Sequence, residues 1–243
     1  MARRAPPSAN CDRSLLLREL NHRINNEFTS AICTVSAKAV MAGDGAVKAA
    51  LLDIVDVLHG YADVHRALHM PDCGRLTDVA RYLQQLCLSI AKSRLDRMAI
   101  RVLFSADDLQ LEGERCWKLG LIVSELLTNV ARHAQFDDRH PAARVELRLA
   151  GSIVKCMVSD NGWAPEPVRR GRGLVIVGDL VSSLGGRVHT SCTAEGCSFL
   201  LTFPMTDPEQ RAAGAAHLIL MKRSRITRAK QLRPSRPGDL ETH

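Results

Sequence analysis

The apolar positions of residues 15–39, LLLRELNHRINNEFTSAICTVSAKA, recur at steps of three and four. Leu17, Leu20, Ile24, Phe28, Ala31 and Val35 therefore share one stripe at about 100° per residue, and the spacing predicts an amphipathic helix. After the break Ala42-Gly43-Asp44-Gly45, the positions Val47, Leu51, Ile54, Leu58, Tyr61, His65 and Leu68 alternate steps of four and three, which is a heptad seam. Two such helices joined by a short glycine-containing loop predict an antiparallel hairpin. A lone hairpin leaves half of each stripe wet, whereas two hairpins paired into a four-helix bundle cover both. The pattern thus predicts a homodimer through residues 12–70.

Met70-Pro71-Asp72-Cys73-Gly74 reads as a linker by its turn residues, and a second domain begins beyond it. Thr77 or Asp78 can cap a helix running to about Lys92, with Val79, Tyr82, Leu83, Leu86, Cys87 and Ile90 as its inner face. Short strands follow at 100–104 and 109–111, then a long helix from Glu114 to about Ala134. Alternation over 143–149 and 153–158 around Ala150-Gly151-Ser152 predicts a β-hairpin. A helix at 174–184 and strands at 187–191 and 198–203 complete the pattern. Helices on one face of a mixed sheet make a two-layer α/β sandwich, so the predicted class is α+β, a helical hairpin followed by that sandwich. The expected organisation is a disordered N-terminus over 1–11, the hairpin over 12–70, the sandwich over 75–205 and a flexible basic tail over 206–243.

With 243 residues, 46% of them hydrophobic, the chain is long enough for a sizeable core. No apolar run approaches the roughly eighteen residues of a membrane span, and the N-terminus has no signal-peptide pattern, so a cytoplasmic location is expected. The net charge of +7 draws heavily on Lys222, Arg223, Arg225, Arg228, Lys230, Arg233 and Arg236. These residues have almost no aromatic neighbours for base stacking, which argues against nucleic acid as a partner. The eight cysteines, at 11, 33, 73, 87, 116, 156, 192 and 197, show no C-x-x-C spacing and are expected to be reduced, buried thiols. His189, Cys192 and Cys197 lack the fourth ligand of a structural zinc site.

His22 lies about 160° from the centre of the first apolar stripe and is expected to face water. Glu19 stands three residues before it and Asn26 four after, so both neighbour it on a helix. A carboxylate there can orient the imidazole and take its proton, leaving the other ring nitrogen as a nucleophile. A solvated histidine among polar neighbours is the competing reading of this face taken alone. In the long helix, Glu125, Asn129 and Arg132 follow at steps of four and three, which places an acid, an amide and a cation together for Mg²⁺ and phosphate oxygens. Asp160-Asn161-Gly162 follows a hydrophobic strand, where an aspartate can accept from an adenine amino group and the glycine permits close approach. Gly171-Arg172-Gly173-Leu174 opens a helix whose free N–H groups can bind phosphate, helped by Arg169, Arg170 or Arg172.

In their order and setting, these three segments resemble the Bergerat-type (GHKL) ATP-binding domain shared by histidine kinases, gyrases and related ATPases, over roughly residues 76–204. LRELNHRINN at 17–26 is similar to the phosphoacceptor box of histidine kinases with an H-R-x-x-N pattern. Val64-His65-Arg66-Ala67-Leu68 resembles the end of their second helix, and LGLIVSELLTNVARHAQF resembles their nucleotide-binding helix. The resemblance implies a two-component histidine kinase that uses ATP and Mg²⁺ and passes a phosphoryl group to an aspartate of a response-regulator receiver domain. His22 would be the phosphoacceptor, with Glu19 beside it. Glu125 would polarise the reaction or hold a metal-bound water, and Asn129 would ligate Mg²⁺. Arg132 and His133 would lie near phosphates and Asp160 would bind adenine. Gly162, Gly171, Arg172, Gly173 and Leu174 would shape the lid and its phosphate side, and Gly196 would precede the closing strand.

The chain departs from that pattern in three places. Trp163-Ala164 replaces the second glycine expected after Asp160-Asn161-Gly162, Gly196-Cys197 replaces the usual Gly-Thr, and the segment from Gly162 to Gly171 is short and basic. Few residues precede the first helix, so an input signal is expected from a separate protein in trans. Two other readings compete: a histidine phosphotransferase with a degenerate, non-ATP-binding ATPase-like domain, and a binding module of the anti-sigma type.

Overall fold

A computed structural model describes residues 9–71, 74–137, 140–163 and 171–215, with side chains in the first helix from residue 16 onward. The first helix, α1, spans Ala9–Met41, and Asp44 caps α2 (Gly45–Ala67) by accepting from the Ala46 N–H at 2.7 Å. Residues 9–11, expected to be disordered, are therefore helical; residues 1–8 lie outside the described residues. The two helices pack as the predicted hairpin. The Phe28 ring stands 6.0 Å from the ring of His65, and Ala39 is fully buried.

The seam of α2 is shifted from its sequence reading. Val55, Ala62 and Val64 are its buried positions, while Val47, Ile54 and Tyr61, at heptad spacing, are exposed. The cause is a second neighbour. The far end of α2 packs against the helix α3 (Val79–Ile90) and the π-turn Ala91–Leu95 that follows it, and Gly60 permits this contact. A Cβ at Gly60 would fall 2.7 Å from the Ser93 Cβ.

Asp78 caps α3 by accepting from the Arg81 N–H at 3.0 Å, and all six predicted inner residues, Val79 to Ile90, are buried. The short strands β1 (Leu76–Asp78) and β3 (Gln110–Glu112) pair antiparallel; β1 is too short for alternation to reveal it. The main sheet contains β2 (Arg101–Ala106), β4 (Ala142–Ala150), β5 (Ile153–Asp160), β6 (Arg187–Thr193) and β7 (Gly196–Pro204). Their order is β2-β4-β5-β7-β6, with only β2 and β4 parallel. Val145, Leu147, Val154, Cys156, Val158, Phe199, Leu201 and Phe203 form the buried face, against which α3, α4 (Gly113–His133) and α5 (Arg172–Ser183) pack. The chain leaving α2 is pinned to this layer. Trp117 Nε1 donates to the Leu68 carbonyl at 3.0 Å, and the Tyr82 hydroxyl to the His69 carbonyl at 3.4 Å. The described residues up to Met205 constitute one compact unit.

In the second unit, residues 207–215 are helical, and the Thr206 N–H donates to Glu209 Oε2 at 2.8 Å. The start of the expected tail thus carries a helix, and the basic cluster from Lys222 to Arg236 lies outside the described residues.

The cysteines also require correction. Cys192 and Cys197 face each other across the β6–β7 register, their Cα atoms 4.1 Å apart, and form a disulfide. A register pair one rung before a tight turn brings the two sulfurs together whatever their sequence spacing suggests. Cys87, Cys116 and Cys156 are buried thiols, and burial pushes Cys87 and Cys156 up to about 12; Cys33 is exposed. Among the described residues, no helix is long and apolar enough to cross a membrane.

Candidate active site

His22 is exposed on α1, as its angle from the apolar stripe requires. Its Nδ1 lies 3.3 Å from the carboxamide nitrogen of Asn26, one turn on. An amide can turn either its oxygen or its NH₂ toward that nitrogen, and oxygen facing an Nδ1–H leaves the Nε2 lone pair free. Glu19 is engaged elsewhere. Arg23 Nε donates to Glu19 Oε1 at 2.9 Å, and this bond is the main cause that holds the carboxyl below its ordinary range. The i,i+4 guanidinium reaches the carboxylate more directly than the shorter imidazole does.

A cavity of about 600 Å³ opens beside His22, lined by Arg18, Asn21 and Asn25 of α1, by His69 and Arg75 ahead of β1 and by Thr77 within it. Arg18 precedes His22 by one helical turn and was visible in the spacing. Arg75 was not, because only the fold brings the linker back onto α1. The Asn25 Oδ1 atom is buried there without a hydrogen-bond partner among the described residues.

On α4, Glu125 and Asn129 are half-buried, while Arg132 and His133 are exposed in the last turn. Glu125 meets the start of α5, where a Cβ at Gly173 would lie 1.9 Å from Glu125 Oε1. Gly171 is the N-cap position of α5, Arg172 is exposed and Leu174 half-buried. Residues 164–170, including Arg169 and Arg170, lie outside the described residues.

Asp160 ends β5 with a half-buried carboxylate. The Gly162 N–H donates to its Oδ1 at 3.0 Å; burial dominates and raises its pKa, opposed by that bond and by the nearby Cys197 backbone N–H. Asn161 is fixed from both ends, with Oδ1 accepting from the Ala142 N–H at 2.8 Å and Nδ2 donating to the His140 carbonyl at 2.9 Å. Gly162 lies against the chain that leaves α4, so close that a Cβ would be 3.0 Å from Ala134 Cβ and from the Gln135 carbonyl oxygen. Trp163, which stands where a glycine was expected, forms a β-bridge with Gln135 and donates its indole N–H to Asp137 Oδ2 at 2.7 Å. That substitution anchors the loop to the end of α4. Gly196 packs equally tightly, with room for no Cβ against the Asp160 carbonyl.

The donor set fits an adenine nucleotide with a hard cation. Glu125 and Asn129 offer oxygen ligands of the kind Mg²⁺ takes, Gly173 lacks the Cβ that would displace the Glu125 carboxylate, and Asp160 is a fixed acceptor of the sort an exocyclic amine needs. No group of three or more His, Cys, Asp or Glu side chains forms a protein-only metal cluster among the described residues. The disulfide also removes Cys192 and Cys197 from any such set.

Comparison with known proteins finds similarity across most of the chain. Residues 90–197 match a family model described as a histidine kinase-like ATPase domain, and residues 19–94 match one described as histidine kinase. The chain is 28% identical over 203 residues to blue-light-activated histidine kinase 2 of Erythrobacter litoralis (strain HTCC2594), covering 78% of this chain and 57% of that protein. It is 25% identical over 199 residues to blue-light-activated histidine kinase 1 of the same organism, covering 79% of this chain and 53% of that protein. The chain thus spans about half the length of the curated relatives it matches. Its fold is similar to the histidine kinase domain of the Erythrobacter litoralis EL346 blue-light-activated histidine kinase, with a TM-score of 0.53 and 22% identity, covering 76% of this chain and 98% of that one. The two family matches run without a gap from residue 19 to residue 197, so over that span this chain is similar to a histidine kinase segment followed by a histidine kinase-like ATPase domain.

Proposed function

We propose that the protein phosphorylates itself on His22 from ATP and passes the phosphoryl group to an aspartate of a response-regulator receiver domain. The observation that carries this reading is the convergence of Glu125 and Gly173, with the pinned Asp160, in the same compact unit as the exposed His22. Asp160 accepts from the adenine amino group, and the Gly162 N–H holds its carboxylate in place. The first turn of α5 and the cations Arg132 and His133 face phosphate oxygens. Glu125 and Asn129 would hold Mg²⁺, which when bound neutralises charge on those oxygens.

Asn26 orients the His22 ring so that Nε2 attacks the γ-phosphorus while the bond to the bridging oxygen breaks and ADP departs. The Nδ1 proton then leaves to a base, for which Glu19, one turn away, serves once Arg23 releases it. The exposed row Val47, Ile54 and Tyr61 on α2, together with Leu16 and Leu20 on α1, supports a homodimer through the hairpin.

The test is incubation with Mg²⁺ and γ-labelled ATP. Retained label that is acid-labile and alkali-stable, and that disappears in His22→Ala and Asn129→Ala, supports the kinase. No label from ATP, with label arriving from a phosphorylated regulator, would replace it with a phosphotransferase.

A further inference from the structure

We propose that the Cys192–Cys197 pair is a redox modification site that sets the grip of the nucleotide site, the disulfide form binding adenine nucleotide more tightly than the dithiol. This rests on the nucleotide reading of Asp160 given above.

The geometry comes from two contacts made by consecutive residues. The Cys197 backbone N–H lies near the Asp160 carboxylate, and Gly196 lies so close to the Asp160 carbonyl that a Cβ would sit 2.0 Å from it. Both belong to the tip of the β6–β7 hairpin, where Ala194 and Glu195 alone separate the paired residues Thr193 and Gly196. Along β7, Cys197, Phe199, Leu201 and Phe203 are buried on the sheet face that carries the helices, the same face on which β5 presents Val154, Cys156 and Val158. The cross-link is therefore on the side of the sheet that holds the site. A hairpin tip of this kind frays unless something ties the last rung. The disulfide ties it, and so holds the Cys197 N–H beside Asp160 before any ligand arrives.

The chemistry is thiol–disulfide exchange with a low-molecular-weight disulfide such as oxidised glutathione. The thiolate of Cys192, the more accessible of the two, attacks one sulfur of the oxidant and expels one thiolate, leaving a mixed disulfide. The Cys197 thiolate then attacks Cys192 Sγ and expels the second. The protein pair loses two electrons and two protons, and the oxidant becomes two thiols. An excess of a dithiol reverses both steps.

Nucleotide affinity is measured calorimetrically on the full chain carrying Cys33→Ser, which removes the thiol exposed among the described residues, after equilibration with oxidised glutathione or with dithiothreitol. Mass spectrometry of the peptide spanning 188–201 scores the loss of two hydrogens. The expected result is binding on the order of fivefold tighter in the oxidised protein, the scale of one preorganised hydrogen bond to a charge. Adding Cys192→Ser should leave the weaker value under both conditions. Equal affinity with the disulfide present overturns the proposal and leaves the kinase reading standing, as does failure of the pair to oxidise. Absence of nucleotide binding in both states overturns the reading of Asp160 and this inference with it.

Discussion

Gly173 and Glu125, 48 positions apart in the chain, are in contact: a Cβ on the glycine would stand 1.9 Å from the carboxylate oxygen. The obstructing atom is the far end of a flexible side chain, so Gly173→Ala should fold normally, with stability changed by less than about 1 kcal/mol. Glu125 would be displaced from the mouth of α5. Mg²⁺-dependent nucleotide affinity is expected to fall by at least about tenfold, a loss of roughly 1.4 kcal/mol, while circular dichroism is unchanged. Unaltered affinity would show that Glu125 takes no part.

Gly196 presents the opposite case. Its φ of 146° lies where side chains are strained, and the atom a Cβ would strike is the Asp160 backbone oxygen at 2.0 Å. Neither can yield cheaply. Gly196→Ala should cost about 2–3 kcal/mol of stability, read as a lower urea midpoint with unchanged slope.

The raised pKa of Asp160, caused first by its burial, has a sign that can be measured. The carboxylate accepts from adenine more strongly when ionised. Affinity should be flat near neutral pH and decline on acidification, beginning above the pH at which an ordinary aspartate, near 3.8, titrates. For stability the direction reverses: the folded state holds the proton more tightly than the unfolded one, so Asp160 costs stability as pH rises through that window. Asp160→Asn should weaken binding at neutral pH and remove the acid limb; an unchanged limb would assign the titration to another group.

Asn26 contacts the ring of His22 and is expected to act by orienting it. Asn26→Ala should slow labelling from ATP by about tenfold or more, with nucleotide affinity unchanged, because the residue acts on the acceptor and not on the ATP side. A matching loss of affinity would count against that role.

The exposed row on α2 makes a prediction about assembly. Ile54 is 47% exposed and stands midway between Val47 and Tyr61. A charge there would be desolvated in a four-helix bundle, so Ile54→Glu should shift the hairpin dimer toward monomer in light scattering at micromolar concentration. A wild-type monomer under those conditions would exclude the dimer outright.

What the sequence determined by itself is local. Six buried positions of α3, the cap Asp78, the turn at 150–152 and the outward angle of His22 all follow from periodicity and turn chemistry, which depend on neighbours within a few residues. The order of the three glycine- and acid-bearing segments was equally legible. The tertiary structure decided which surface covers which. It placed Glu125 on Gly173, the linker residue Arg75 beside His22, α3 against a face of α2 that the heptad pattern had left open, and Cys192 opposite Cys197. Periodicity states which face of an element is apolar and says nothing of its partner. Partner and register are fixed by packing between residues tens of positions apart, where sequence spacing carries no distance.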